Sequence, residues 1–315
     1  MDRKIRNLMS DVVTALALAG GGASHGGLQA QVADDGEINL WFIELNDSVS
    51  AFRGQAQAAG IAYSERYVYQ RIWRGLSVQS SSEAASVLGR LSSVRAVYPV
   101  LRVDIGPVDP ANPELIHALA MTGADIAQND LGLTGTGVKV AVIDSGIDYH
   151  HPDLGGGFGP GYRVVTGYDF VGDRYNFGGA GGVLIPHPDN DPDDCGGHGT
   201  HVAGIIGASG NPATGGARGV APGVTFGAYR VFGCAGSTSA DVMLAAMERA
   251  LADGMDVVNM SIGAGFQSWP QYPTAVAADA LVEAGIIVVV ANGNEGGFGV
   301  YSAAAPGVGR ARCSA

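Results

Sequence analysis

Basic residues are scarce. The 315-residue chain carries 18 Lys and Arg against 30 Asp and Glu, a formal net charge of −12. A surface that neutralises phosphates needs the opposite balance, which argues against nucleic acid as a partner. Cysteine is nearly absent: Cys195, Cys234 and Cys313 are the whole set. No pair has CxxC or zinc-ribbon spacing, and an odd number allows one disulfide with an orphan or a set of free thiols. No apolar run reaches membrane-spanning length. Charged residues make up 15% against 46% hydrophobic, the balance of a folded globular chain long enough for two domains. The 50 glycines follow no collagen period, and the chain has no internal repeat.

Absent motifs narrow the chemistry further. His198-Gly199-Thr200-His201 has neither the spacing nor the glutamate of a His-Glu-x-x-His metal site. Gly135 and Gly137 precede the first strand of their region, whereas dinucleotide-binding glycines follow it. The acidic run Asp189 to Asp194 starts like a calcium loop. It lacks glycine at the sixth position and has Thr200 rather than glutamate at the twelfth, so it reads as a solvated acidic loop.

Four regions are legible. Residues 1–35 form a leader. Arg3, Lys4 and Arg6 precede an apolar Val12–Ala19, and Leu28-Gln29-Ala30 could precede a cleavage point. This reads as a degraded signal peptide, interrupted by Asp11, in preference to a disordered leader. Residues 36–105 alternate strand and helix patterns. Strands are expected at Ile38–Leu45, within Tyr67–Gln79 and at Val94–Ile105, with helices at Ser50–Ala59 and Ser82–Leu91, the latter capped by Ser82. The order β-α-β-β-α-β points to a small α+β ferredoxin-like domain. Residues 106–116 carry Pro107, Pro110 and Pro113 and read as a linker.

Residues 117–315 alternate strands with helices, the pattern of an α/β parallel sheet with helices on both faces. Strands are expected at Val138–Ile143, Val164–Val171, Val224–Phe232, Met255–Ile262 and Ile286–Ala291, the last continuous enough to be central. Helices are expected at His198–Ala208, Ser239–Leu251 (capped by Ser237 or Ser239) and Pro273–Ala284.

Two residues from this region carry chemistry. Asp144 closes the first strand of the parallel sheet, where open α/β sheets build their sites. His198 lies between Gly197 and Gly199 at the start of a helix, so backbone and substrate can approach its ring closely. The positive end of the helix dipole disfavours an imidazolium, suiting the ring to accept a proton near neutral pH. A buried carboxylate such as Asp144 would hold the imidazole in one tautomer.

Asp144-Ser145-Gly146 followed by Gly197-His198-Gly199-Thr200-His201-Val202-Ala203-Gly204 resembles the subtilisin-like serine proteases (peptidase S8). Val257–Gly263 resembles the strand lining their substrate cleft, and Val288–Gly296 the segment carrying their oxyanion-hole asparagine. The resemblance implies a serine-type endopeptidase. Asp144 orients His198, His198 shuttles the proton, and Asn294 donates to the oxyanion. Ser261, Ile262 and Gly263 pair as an edge strand with an extended peptide. His201 is read as structural. The resemblance implies no required cofactor and no catalytic metal, although the family often binds structural calcium. Similar secreted relatives suggest that Cys195 and Cys234 bridge.

By position and element order, 36–105 resembles the inhibitor I9-type propeptide of the family, seated in the cleft and cleaved off between about Asp104 and Pro113. The partners implied are a protein or peptide substrate and this propeptide, in a secreted protein. The family's serine motif, of the Gly-Thr-Ser-Met-Ala type, has no counterpart after Asn294. Residues 117–315 are therefore expected to form a partial, incomplete catalytic domain without hydrolytic activity. Gly236–Ala240 is read as an ordinary surface-helix start, and Ser239 as no substitute nucleophile. The alternative reading is a non-catalytic peptide-binding or chaperone-like remnant.

Overall fold

The computed structural model describes residues 39–105, 115–178, 183–211, 216–267, 269–294, 296–299 and 301–309. The proposed leader and most of the linker lie outside them, as does Cys313.

The N-terminal unit runs β1 (Asn39–Leu45), α1 (Val49–Ala58), β2 (Ser64–Tyr69), β3 (Gly75–Ser80), α2 (Ser82–Leu88) and β4 (Val94–Pro99), followed by a short β5 (Arg102–Val103). The first four strands lie in the order β2-β3-β1-β4, with every pairing antiparallel. This is the ferredoxin-like order expected. Ser48 caps α1 through Ala51 N, and Ser81 caps α2 through Ala84 N, one residue ahead of the expected Ser82. The two-residue period of β1 sends neighbouring side chains to opposite faces. Ile43 and Leu45 join Phe52, Ala56, Leu76, Val78, Leu88 and Val94 under the two helices. Phe42 belongs instead to the core shared with the rest of the chain.

The body follows. Leu115–Thr122 (α3) and Ala124–Asn129 (α4) are helical, so helix begins at Leu115, inside the linker expected at 106–116. The strands of the body are β6 (Lys139–Asp144), β7 (Val164–Asp169), β8 (Thr225–Arg230), a short β9 (Thr238–Ser239), β10 (Val257–Met260) and β11 (Ile287–Val290). All but β9 form the main sheet, paired in parallel in the order β11-β10-β6-β8-β7. The helices are α5 (His198–Gly207), α6 (Ala240–Ala252) and α7 (Pro273–Glu283).

Strand β6 shows why such strands read as continuous apolar runs. Val140 and Val142 face one core, Ala141 and Ile143 the other, and burial on both faces leaves no polar alternation. Strand β11 corrects the expectation that it is central. Among the described residues it pairs only with β10 and stands at the sheet edge, with Ile287 61% exposed. A β-branched run reports strand propensity and one well-covered face, not rank within a sheet.

The two units share a core. Phe42 meets Trp73 and Tyr272 edge to face, with ring centroids 5.5 and 6.0 Å apart. Each such pair adds about 0.5–1.5 kcal/mol beyond the area it buries. A short antiparallel pair crosses the junction, β5 from the N-terminal unit with β9 from the body.

Candidate active site

In a parallel sheet all carboxyl ends lie on one edge, and ligands bind there. Asp144 ends β6, Ser261–Gly263 follow β10, and Asn294 lies in the turn after β11. Asp144, Ser261–Gly263 and Asn294 thus follow the carboxyl ends of their strands, and His198 meets Asp144 from the start of α5.

Asp144 has no exposed surface, and the side chain of His198 is 13% exposed. His198 Nδ1 and Asp144 Oδ1 are 2.7 Å apart. A carboxylate can only accept, so Nδ1 carries the proton and Nε2 is the basic nitrogen. The same Oδ1 accepts from Ser145 N at 2.7 Å. Oδ2 is buried with no hydrogen-bond partner among the described residues. Burial pushes the Asp144 carboxyl above its ordinary value. The hydrogen bond from His198 to Asp144 raises the His198 imidazole, with burial opposing it. The sequence expectation, a ring kept neutral by the helix terminus, is therefore only half of the balance. The carboxylate at 2.7 Å acts in the opposite sense and dominates.

Close packing sets this geometry. Ser145 Oγ accepts from Gly199 N at 2.8 Å, tying the end of β6 to the first turn of α5. A Cβ on Gly199 would stand 2.1 Å from Gly146 O, so only glycine fits. Asp194 caps α5. Its Oδ1 accepts from Gly196 N and Gly197 N, and its Oδ2 from Thr200 N and Thr200 Oγ1. The acidic run is therefore more than a solvated loop. Asp189, Asp191 and Asp193 each accept a backbone N–H two residues or one residue ahead, and Asp191 also takes the Tyr149 hydroxyl. An aspartate ahead of a helix is a legible cap signal, but a cap reached through a glycine turn disguises it.

Cys195 and Cys234 are bonded to each other, with Cα atoms 5.0 Å apart. Their sulfurs lie near Asp173, but a disulfide offers no thiolate for a metal. Arg230, buried at the end of β8, holds this corner. It contacts Asp169 at 3.2 Å, Asp173 at 2.9 Å and Cys195 Sγ at 2.9 Å.

The expected edge strand at Ser261–Gly263 needs a correction. Strand β10 lies between β11 and β6, so Ser261–Gly263 are not a sheet edge but an extension beyond β10. Gly263 pairs antiparallel with Asp104 of the chain's own N-terminal unit. On the other side, Arg102 pairs with Ser239 and Val103 with Thr238, while Ala240 N donates to Leu101 O. Residues 101–104 thus run as an extended strand between two walls. The second wall, Thr238–Ala240, is buried and paired rather than an ordinary surface-helix start. Its polar serine and threonine hide that burial from a sequence reading. Ser239 Oγ donates to Asp241 Oδ1 at 2.5 Å and lies 2.7 Å from the Tyr175 hydroxyl, so it is committed to structure. His201 is exposed one turn beyond His198, and Asn294 is exposed.

Known proteins share this architecture. The Peptidase_S8 (Subtilase family) pattern matches residues 135–310, more than half of the chain. The minor extracellular protease Vpr of Bacillus subtilis (strain 168) is 35% identical over 252 residues, covering 77% of this chain and 29% of Vpr. Subtilisin E of the same organism is 39% identical over 178 residues, covering 56% of this chain and 39% of its own. The chain spans well under half the length of these two relatives. Among solved structures, the epidermin leader peptide processing serine protease of Staphylococcus aureus aligns with a TM-score of 0.60 at 20% identity, over 82% of this chain and 61% of that one. Fervidolysin of Fervidobacterium pennivorans, described as a keratinolytic enzyme related to subtilisin, aligns at 0.55 and 23%, over 84% and 41%. The fold is that of these structures, and the chain belongs to the subtilase family, peptidase S8, whose named relatives are proteases.

Proposed function

We propose that this chain carries the acid–base half of a serine endopeptidase site. The observation that carries it is the His198–Asp144 contact of 2.7 Å at the sheet edge where an extended strand is already held. In this reading a serine hydroxyl gives its proton to His198 Nε2 as its oxygen attacks the peptide carbonyl. Asp144 steadies the imidazolium without taking the proton, and His198 then protonates the leaving amine. Asn294 donates to the oxyanion, an interaction of the kind whose loss costs about 10²–10³ in turnover in subtilisin. Ser261, Ile262 and Gly263 hold the substrate backbone by strand addition. The steps need no cofactor and no catalytic metal; any calcium would be structural.

The 36–105 unit is, in this reading, an I9-type propeptide that keeps the protein a zymogen. Its segment 101–104 lies between the two walls where a substrate strand would run, and maturation cleavage falls between Asp104 and Pro113. Secretion is supported by the extracellular relative and by a disulfide, which persists in oxidising compartments.

No Gly-Thr-Ser-Met-Ala type motif follows Asn294 in these 315 residues, so we assign no nucleophile to them. The 315-residue chain is expected not to label with a fluorophosphonate. A chimera in which the serine-bearing segment of subtilisin E follows residue 309 is expected to label, and to lose labelling with His198→Ala. Labelling of the unextended chain overturns the nucleophile statement. Chimera labelling that survives His198→Ala overturns the acid–base assignment. The second reading, a non-catalytic peptide-binding or chaperone-like protein, is favoured by the strand 101–104 already held between the two walls; a chimera that folds but never labels supports it.

A further inference from the structure

One carboxylate joins three parts of the molecule that are far apart in sequence. Asp241, on the first turn of α6, has a fully buried side chain. Its Oδ2 accepts from Arg66 Nε at 2.7 Å, and the Arg66 side chain, on β2 of the N-terminal unit, is only 12% exposed. Its Oδ1 accepts from Ser239 Oγ at 2.5 Å and from Val242 N at 3.0 Å. Its backbone carbonyl accepts from the Tyr69 hydroxyl at 2.8 Å. Ser239 in turn touches the Tyr175 hydroxyl at 2.7 Å and pairs with Arg102 in the strand between the cleft walls.

A buried ion pair adds little net stability, because desolvation offsets most of the attraction. Removing one partner is costly, since the other is left charged and uncompensated. Such a pair discriminates between partners rather than simply strengthening a contact. A domain without a cation at the position of Arg66 would leave the Asp241 carboxylate buried and unpaired. The pairing also bears on the cleft, because the carboxylate that takes the guanidinium holds the hydroxyl of a cleft-wall residue with its other oxygen.

We propose that Asp241 is the specificity-determining residue by which the body recognises its own N-terminal unit, through Arg66, and transmits that recognition to the cleft-wall strand through Ser239. The partner it fits is an α/β unit that offers a guanidinium from its second strand. Glu248 supplies a separate contact on the same helix. Its Oε1 accepts from the amides of Gln70, Arg71 and Ile72 at 2.9, 2.8 and 3.3 Å, and none of these bonds involves Asp241 or Ser239. The proposal rests on the reading of 101–104 as a strand seated in the cleft.

Hydrogen exchange on the full chain tests it. The amides to follow are Ala240, which donates to Leu101 O, and those of the β5–β9 pair. Arg66→Met is expected to speed their exchange by about 10²–10⁴-fold, the scale of one lost partner in a buried pair. Amides of the β1–β3 and β6–β8 ladders are expected to stay unchanged, which also shows that the variant folds. Asp241→Asn is expected to act similarly, and adding Arg66→Met to it to change little more. Glu248→Gln and Asp241→Asn are expected to add. Arg66→Lys, which keeps the charge, is expected to fall between wild type and Arg66→Met, and reads the same effect if the methionine variant does not fold. Additive Arg66 and Asp241 effects, or uniform acceleration across all ladders, overturn the proposal. If Ala240 and the β5–β9 amides are unprotected in the wild type, the seated-strand reading fails first. If they are protected there but unmoved by Arg66→Met, the coupling alone fails.

Discussion

His198 Nδ1 lies 2.7 Å from Asp144 Oδ1, although the two residues are 54 positions apart in the chain. One is the last residue of a central strand and the other the first of a helix packed beside it. That contact links the ionisation of the ring to the burial of the acid, and the first prediction follows from it.

Asp144→Asn should lower the His198 pKa, because the hydrogen bond to Asp144 is what raises it. The sign for stability follows by linkage. A raised folded-state pKa contributes stability that is fully present below the ordinary value of 6.5 and lost as pH rises through the folded value. Asp144, also raised, binds its proton more tightly in the fold and acts in the same direction at lower pH. Imidazole NMR titration reads the shift. The decline in unfolding free energy above pH 6.5 should be shallower in the variant.

Gly199→Ala should be severely destabilising. The new methyl would lie 2.1 Å from Gly146 O and 3.1 Å from Asp144 Cβ, and backbone cannot yield as a side-chain tip can. We expect a loss of about 3 kcal/mol, at the upper end for overpacking, in urea unfolding. The His198–Asp144 contact should open at the same time, seen as a fall in the His198 pKa. An unchanged midpoint and titration would contradict this geometry.

Asp194→Ala removes the acceptor for three backbone amides and the Thr200 hydroxyl. Loss of a helix cap costs about 0.5–2 kcal/mol, and four lost bonds place this one at the top of that range. Asp189→Ala, which loses one amide contact, should cost less. Paired denaturation curves compare the two.

Replacing both Cys195 and Cys234 with serine opens a link across 39 residues. The chain-entropy cost for a loop of that length is about 4 kcal/mol. A reductant should lower the melting temperature of the wild type and leave the double variant unmoved. Equal melting of the two proteins under oxidising conditions would show that the bridge contributes nothing.

Much of the candidate site is legible in residue types taken in order along the chain. An acid ending a buried strand, a histidine among glycines opening a helix, and an asparagine after a later strand are local patterns, and parallel topology brings the ends of strands to one edge. The βαββαβ order of the N-terminal unit is legible for the same reason, since strand and helix periods are written locally. The edge position of β11 is not, because strand order depends on which surfaces pack and not on propensity. Nor is the second wall at Thr238–Ala240, whose polar side chains are buried against partners distant in sequence: residues 101–103 and, for Ser239, Tyr175.

By itself the sequence determined the longer elements, the family and the pair Asp144 and His198, because these depend on periodicity and on which side chains can exchange protons; the short helices Leu115–Thr122 and Ala124–Asn129 and strand β9 were not legible in it. Only the tertiary structure decided that Asp194 caps the histidine helix and that Arg66 meets Asp241 across the two units. It alone placed the strand 101–104 between Ser239 and Gly263. Each of these is a contact between segments tens to hundreds of residues apart or bent through a glycine turn. Their energies come from burial and desolvation, which exist only once the chain has closed on itself.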